Sequence, residues 1–181
     1  MRYSFYLILC FFLSLNSFAQ NINIEDNETN FLITSNTLTE FSFINTVSDI
    51  NTSVLKLPQG DFLRLSIPNY VSNSKDGDAE LPVFQDLVMV PLGSDIAVKI
   101  INKEEKIINL DDYGYDIDIF PNQPSISKGD DVSTIPFYYN SEYYNINEFL
   151  GDDCIQIKML GKMRGQQLAR LSISPILYNP I

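Results

Sequence analysis

Short runs rich in Val, Ile, Phe and Tyr recur roughly every ten residues along most of this chain, each bounded by Pro, Gly, Asn or Asp, and that spacing demands a sheet-built fold. The runs fall at 41–47, 54–57, 62–67, 84–90, 96–101, 107–110, 113–119, 155–160 and 168–173. Within 62–67, Leu63, Leu65 and Ile67 lie on one side, with Arg64 and Ser66 on the other. Within 96–101, Ile96, Val98 and Ile100 oppose Ala97 and Lys99. A period of two with one apolar side describes a strand with one face in a core. The spacing of an amphipathic helix is confined to a weak pattern at 141–150, where Tyr143, Tyr144, Ile146 and Phe149 suit a short turn, so a parallel βαβ architecture is disfavoured. The expectation is an all-β fold: an antiparallel β-sandwich of jelly-roll-like form, as a single domain over 38–181.

The ends are read differently. Arg2, an apolar core from Tyr6 to Leu15 and the small residues of Ser17-Phe18-Ala19 describe a secretion signal over 1–19, cut after Ala19. The apolar run is too short for a stable anchor, and Leu9 before Cys10 is too large for a lipoprotein site. Release to the periplasm or the exterior is therefore expected, with no membrane span. Residues 20–37 are rich in Asn, Glu and Thr and read as a flexible arm. At the other end Asn179-Pro180 reads as a turn into one more strand, so the domain is expected to lack its last strand at Ile181.

The chain has no histidine, which removes the usual general base and the usual metal ligand together. Catalysis by this chain alone is not expected, and neither is a cofactor. Once the signal leaves, Cys154 is the one cysteine; it follows Asp152-Asp153, opens an apolar run and reads as a buried apolar residue. The formal net charge is −11 and becomes one unit more negative without Arg2, which argues against nucleic acid and anionic lipid and for solubility or a basic partner. Asp76-Gly77-Asp78 superficially suggests a calcium loop but lacks the remaining ligands and the bidentate Glu, so no metal is assigned. Of the carboxylates at Asp111, Asp112, Asp116 and Asp118, the last two share a strand face and read as a solvated edge. Lys162 and Arg164 mark a basic hairpin turn.

One stretch breaks the strand pattern more sharply than any other. After Ile119, Pro121 and Pro124 deny the backbone two ladder donors and bias the residues before them to extended geometry, and Gly129-Asp130 supplies a return turn. Between them lies a loop with a single cation, Lys128, among acids. On composition alone the bland reading is a solvated hairpin tip with an incidental lysine, and a sharper reading of Lys128 stays open.

Several segments in order resemble the propeptide of gingipain-type cysteine peptidases, secreted proteins of the Bacteroidetes type. They are Gly77 with Leu81-Pro82-Val83, Ile119-Phe120-Pro121 through Ser125-Ile126-Ser127-Lys128, Ile135-Pro136-Phe137-Tyr138-Tyr139 with Tyr143 or Tyr144, Arg164-Gly165-Gln166, and Tyr178-Asn179-Pro180. The resemblance implies an all-β prodomain that assists the folding of its peptidase and blocks the active site until cleaved. It further implies an inhibitory loop of Ser125, Ile126, Ser127 and Lys128, in which Lys128 matches the basic residue that enters the substrate pocket. Arginine-specific members carry arginine there, so lysine points to a peptidase that prefers lysine or accepts both. The implied partner is a gingipain-type catalytic domain, in cis or in trans, whose Cys and His are absent from this chain. A second reading stays open beside it, a stand-alone secreted β-sandwich for binding or adhesion in which the loop is incidental.

Overall fold

The computed structural model describes residues 19–25, 28–72, 74–129, 131 and 135–181, so all but the last residue of the expected signal segment, and Asp130 of the expected turn, lie outside the described residues. Nine strands are seen among them: β1 (Ala19–Asn23), β2 (Asn30–Asn36), β3 (Phe41–Thr46), β4 (Asp49–Leu57), β5 (Gly60–Ser66), β6 (Val71–Ser72), β7 (Pro82–Val90), β8 (Ile155–Met163) and β9 (Gln166–Ile173). All pair antiparallel, in sheets of order β1-β4-β5, β2-β3 and β6-β7-β9-β8. The only α-helix described is one turn, α1 (Ser141–Tyr144), inside the segment expected to turn. The all-β, antiparallel, sandwich-like expectation holds.

The core gathers where β4 and β5 meet the chain around Ile119. Ile22, Ile50, Leu63, Leu65, Ile67, Ala79, Leu81, Tyr115, Ile119, Tyr144 and Tyr178 form one buried cluster. Strand β5 buries two consecutive residues, Phe62 and Leu63, which an ordinary surface strand does not do. Both of its faces are covered, and the cover on the Phe62 side is part of the site described below.

Several expectations need correction. The segment 20–37 is not a loose arm: β1 runs along β4 with Ile22 opposite Ile50, and β2 pairs with β3. Asn21 and Asn23 face solvent while Ile22 is 1% exposed, so a half-buried edge strand hides inside a polar composition. Thr52 is also drawn in, its Oγ1 donating to the Gln20 carbonyl at 2.6 Å and lying 2.7 Å from the Tyr115 hydroxyl. Conversely, 96–101 and 107–110 are not strands. Ile96, Val98 and Ile100 remain substantially exposed, because alternation marks a face and does not supply a hydrogen-bonded neighbour. Residues 113–119 are likewise no continuous strand; a 3-10 turn at Leu110–Tyr113 ends at Gly114 with φ 78°, and pairing begins only at Ile119. Cys154 is half-buried, its carbonyl accepting from Ser174 N–H at 2.9 Å.

Because Ile22 is sealed against β4, Ile22→Ala is expected to lower unfolding free energy by about 2–5 kcal/mol, the range for deleting a buried aliphatic side chain. Denaturant unfolding measures it. A loss within about 0.5 kcal/mol, as at unconstrained surface positions, would return residues 20–25 to the status of an arm.

Candidate functional site

The incoming leg of the proline-framed loop is built onto the open edge of β5. Leu63 N–H donates to the Asp118 carbonyl at 2.8 Å and Phe120 N–H donates to the Leu63 carbonyl at 2.7 Å, a parallel bridge that seals Leu63 and Ile119 together. Two residues on from Ile119, Pro121 faces Ala79 in an antiparallel bridge, with Glu80 N–H on the Phe120 carbonyl and Asn122 N–H on the Asp78 carbonyl, both at 2.8 Å. The ladder bonds fall on the neighbours of Pro121, so its missing donor costs nothing there.

A single turn holds both legs. Gly77 N–H donates to the Asn122 carbonyl at 2.8 Å on the incoming side, and the Gly77 carbonyl accepts from Asn140 N–H at 2.9 Å on the outgoing side. Gly77 has φ 87°, and a Cβ there would lie 3.1 Å from the Asn140 nitrogen, so glycine is required by conformation and by space. The flanking carboxylates have amide partners: Asp76 Oδ1 accepts from Asn122 Nδ2 at 3.0 Å and Asp78 Oδ1 from Asn140 Nδ2 at 2.6 Å. Asp76-Gly77-Asp78 is thus a wedge between the legs. No group of three or more metal-ligating side chains occurs among the described residues.

Aromatic side chains fill the base of the loop. Phe62 packs with Phe120 and Phe137 at centroid distances of 6.0 and 5.6 Å, joining incoming and outgoing legs across β5. The Arg64 guanidinium lies 4.8 Å from the Phe120 ring centre, and its Nε is 3.2 Å from Glu80 Oε2. Tyr139 donates to Asp118 Oδ2 at 2.8 Å, and Tyr144 donates to the Ile119 carbonyl at 2.7 Å, with their rings 4.5 Å apart. Asp118 is therefore a hydrogen-bond partner as well as an edge charge. Burial pushes the hydroxyls of Tyr139, Tyr143 and Tyr178 up to about 12, aided at Tyr139 by the bond to the Asp118 carboxylate, and raises Tyr144 as well.

Above this base the loop is exposed. Ser125, Ile126, Ser127 and Lys128 project consecutively into solvent from backbone with no regular structure, and the chain turns at Lys128 and Gly129. No ion pair among the described residues involves Lys128. Arg164, with φ 52°, and Gly165 form the tight turn between β8 and β9 that the basic segment was expected to make. Sequence patterning singles out neither Asn122 and Asn140, which tie the legs to the wedge, nor Gln123 at the neck of the loop; the two prolines around Gln123 are the one available signal.

The family model Propeptide_C25 matches residues 28–181. Lys-gingipain HG66 and Lys-gingipain W83 of Porphyromonas gingivalis are each 31% identical over the whole chain, which spans 11% and 10% of their respective lengths. A solved structure bearing on the zymogenic latency of gingipain K from the same organism superposes with a TM-score of 0.84 at 30% identity, over 90% of this chain and 88% of that one. A second, of the complex of the pro- and mature domains of P. gingivalis RgpB, superposes at 0.67 over 86% of this chain and 77% of that one; at 16% identity it shows the fold alone.

The tyrosine base gives the protein an alkaline limit. In the unfolded chain these hydroxyls ionise near the ordinary value of about 10, and in the folded chain Tyr139, Tyr143 and Tyr178 near about 12. Their stabilisation is therefore complete below about 10 and is lost as pH rises through about 12, because the unfolded state releases its protons first. Denaturant midpoints followed from about pH 9 upward, with tyrosinate absorbance in parallel, should fall across that interval. Stability that stays flat while all tyrosines ionise near about 10 would contradict this base.

Proposed function

Because the chain belongs to the Propeptide_C25 family, we propose that it is the inhibitory and folding-assisting prodomain of a gingipain-type cysteine peptidase, exported after loss of residues 1–19. One observation carries the inhibitory reading: a lysine stands at the exposed tip of a loop whose two legs are hydrogen-bonded to the same turn. Peptidases bind substrates in extended form, and the backbone over 122–127 is free of regular structure. Lys128 then presents a substrate-like cation, and Ser125, Ile126 and Ser127 line the cleft before it. A pre-braced loop loses little conformational freedom on binding, so more of the contact energy appears as affinity. In the zymogen the peptidase would share the chain, and effective concentrations of about millimolar make even a modest fit inhibitory. That two relatives are Lys-gingipains accords with a lysine at this tip.

The test is the inhibition constant of the chain against a gingipain-type peptidase domain that cleaves after lysine. Lys128→Ala should weaken inhibition by about 2 kcal/mol or more, roughly 30-fold, as truncation of a central anchor does. Lys103→Ala is the control, since its ammonium pairs with Glu105 on a remote exposed segment and should be nearly silent. Undiminished inhibition by folded Lys128→Ala would move the contact to another surface and overturn the reading.

A further inference from the structure

The turn at Gly77 holds the legs at Asn122 and Asn140, but between that level and the tip no backbone-to-backbone bond joins one leg to the other among the described residues. A join above that level is made by one side chain. Gln123 Oε1 accepts from Tyr138 N–H at 3.0 Å, while Gln123 Nε2 donates to the Tyr138 carbonyl at 2.8 Å and to the Pro121 carbonyl at 2.9 Å, with the Asn122 carbonyl at 3.3 Å. The carboxamide thus takes the place of a peptide unit in a strand pair: it accepts from an N–H and donates to a C=O of the same residue. The Tyr138 N–H fixes which end of the amide is oxygen. Pro124 contributes by removing the next donor and biasing Gln123 toward extended backbone.

We propose that Gln123 is a positioning residue that closes the neck at 123 and 138, fixing how far apart the two legs leave it, so that the Lys128 tip is retained by a peptidase and cut slowly. Gln123 touches no reacting atom; it acts by fixing the separation of the two legs. Its position explains why its loss should be local. The aromatic base and the Gly77 wedge lie below it and stay intact, and Tyr138 is 41% exposed, so water can take up the freed groups without global unfolding. The chemistry of the clamp is also specific. Gln123→Glu keeps the shape and one acceptor but loses both donors and sets a carboxylate against the carbonyls of Pro121 and Tyr138, whereas Gln123→Asn is one methylene short.

The inference adds a residue to the inhibitory reading and, for its consequence, rests on it; the clamp itself is tested without it. Trypsin hydrolyses after lysine, so nicking of the chain after Lys128, followed by fragment mass, reports how freely the tip moves. Gln123→Ala and Gln123→Glu should each be nicked about tenfold faster than the parent, the worth of one or two neutral hydrogen bonds, with an unchanged thermal midpoint. The Tyr138 amide should exchange with solvent faster in both, by a similar factor. Against a lysine-cleaving gingipain-type peptidase domain both should inhibit about tenfold more weakly and be consumed faster. Equal nicking and equal Tyr138 exchange in parent and variants overturns the clamp, as does an unprotected Tyr138 amide in the parent. If Lys128→Ala abolishes inhibition while the Gln123 variants match the parent in every readout, the clamp fails and the inhibitory reading survives. If Lys128→Ala inhibits normally but the Gln123 variants are still nicked faster, the clamp stands and the inhibitory reading falls.

Discussion

Leu63 is fully buried in the middle of β5, and its N–H and C=O point away from β4, to an edge that no regular strand covers. Backbone groups in that position cannot reach water and must be paired within the chain. The bonds to Asp118 and Phe120 satisfy them, and most of the loop's placement follows. Once 118–120 lies along β5, Pro121 is carried to Ala79 and Asn122 to the Gly77 turn. That turn then catches the returning chain at Asn140. A requirement of the core thereby becomes the foundation of an exposed loop.

The two ends of the loop differ in chemistry for a physical reason. Its base is aromatic, with Phe62, Phe120, Phe137, Tyr139 and Tyr144 packed ring against ring, and apolar burial there gives rigidity without directional constraint. Its neck is polar, where the amides of Asn122, Gln123 and Asn140 fix distances that burial alone leaves loose. The tip carries little besides small hydroxyls, one half-exposed isoleucine and Lys128. Packing increases inward and exposure outward.

Much of the fold is legible in the sequence, and the exceptions have causes. Strands β5, β7, β8 and β9 announce themselves by alternation and bounding turn residues, and β3 and the second half of β4 do so nearly as well. β1 stays hidden because one buried isoleucine among Gln and Asn gives no countable period, although Ile22 is among the most buried residues described. The opposite error, at 96–101, arises because an apolar face can be written into a segment that finds no ladder. At the site, the prolines and Lys128 can be read directly, since they act through their own conformational and charge properties. The clamp cannot, because Gln123 acts through a partner 15 residues away in sequence and an uncharged amide leaves no pattern; Asp76-Gly77-Asp78 stands out as a motif, but not its partners Asn122 and Asn140, which lie 46 and 62 residues from the carboxylates they meet.

The central claim, that the braced tip is the surface a peptidase covers, is tested most directly by backbone amide exchange over the whole chain. The measurement compares the free protein with a complex formed by a gingipain-type peptidase domain whose catalytic cysteine has been replaced, so that binding proceeds without cutting. The account predicts that slowing of exchange concentrates at 126–129 and extends down the legs toward Tyr138. Unchanged exchange at the tip, with protection appearing instead at the β8–β9 turn around Lys162 and Arg164, would contradict it.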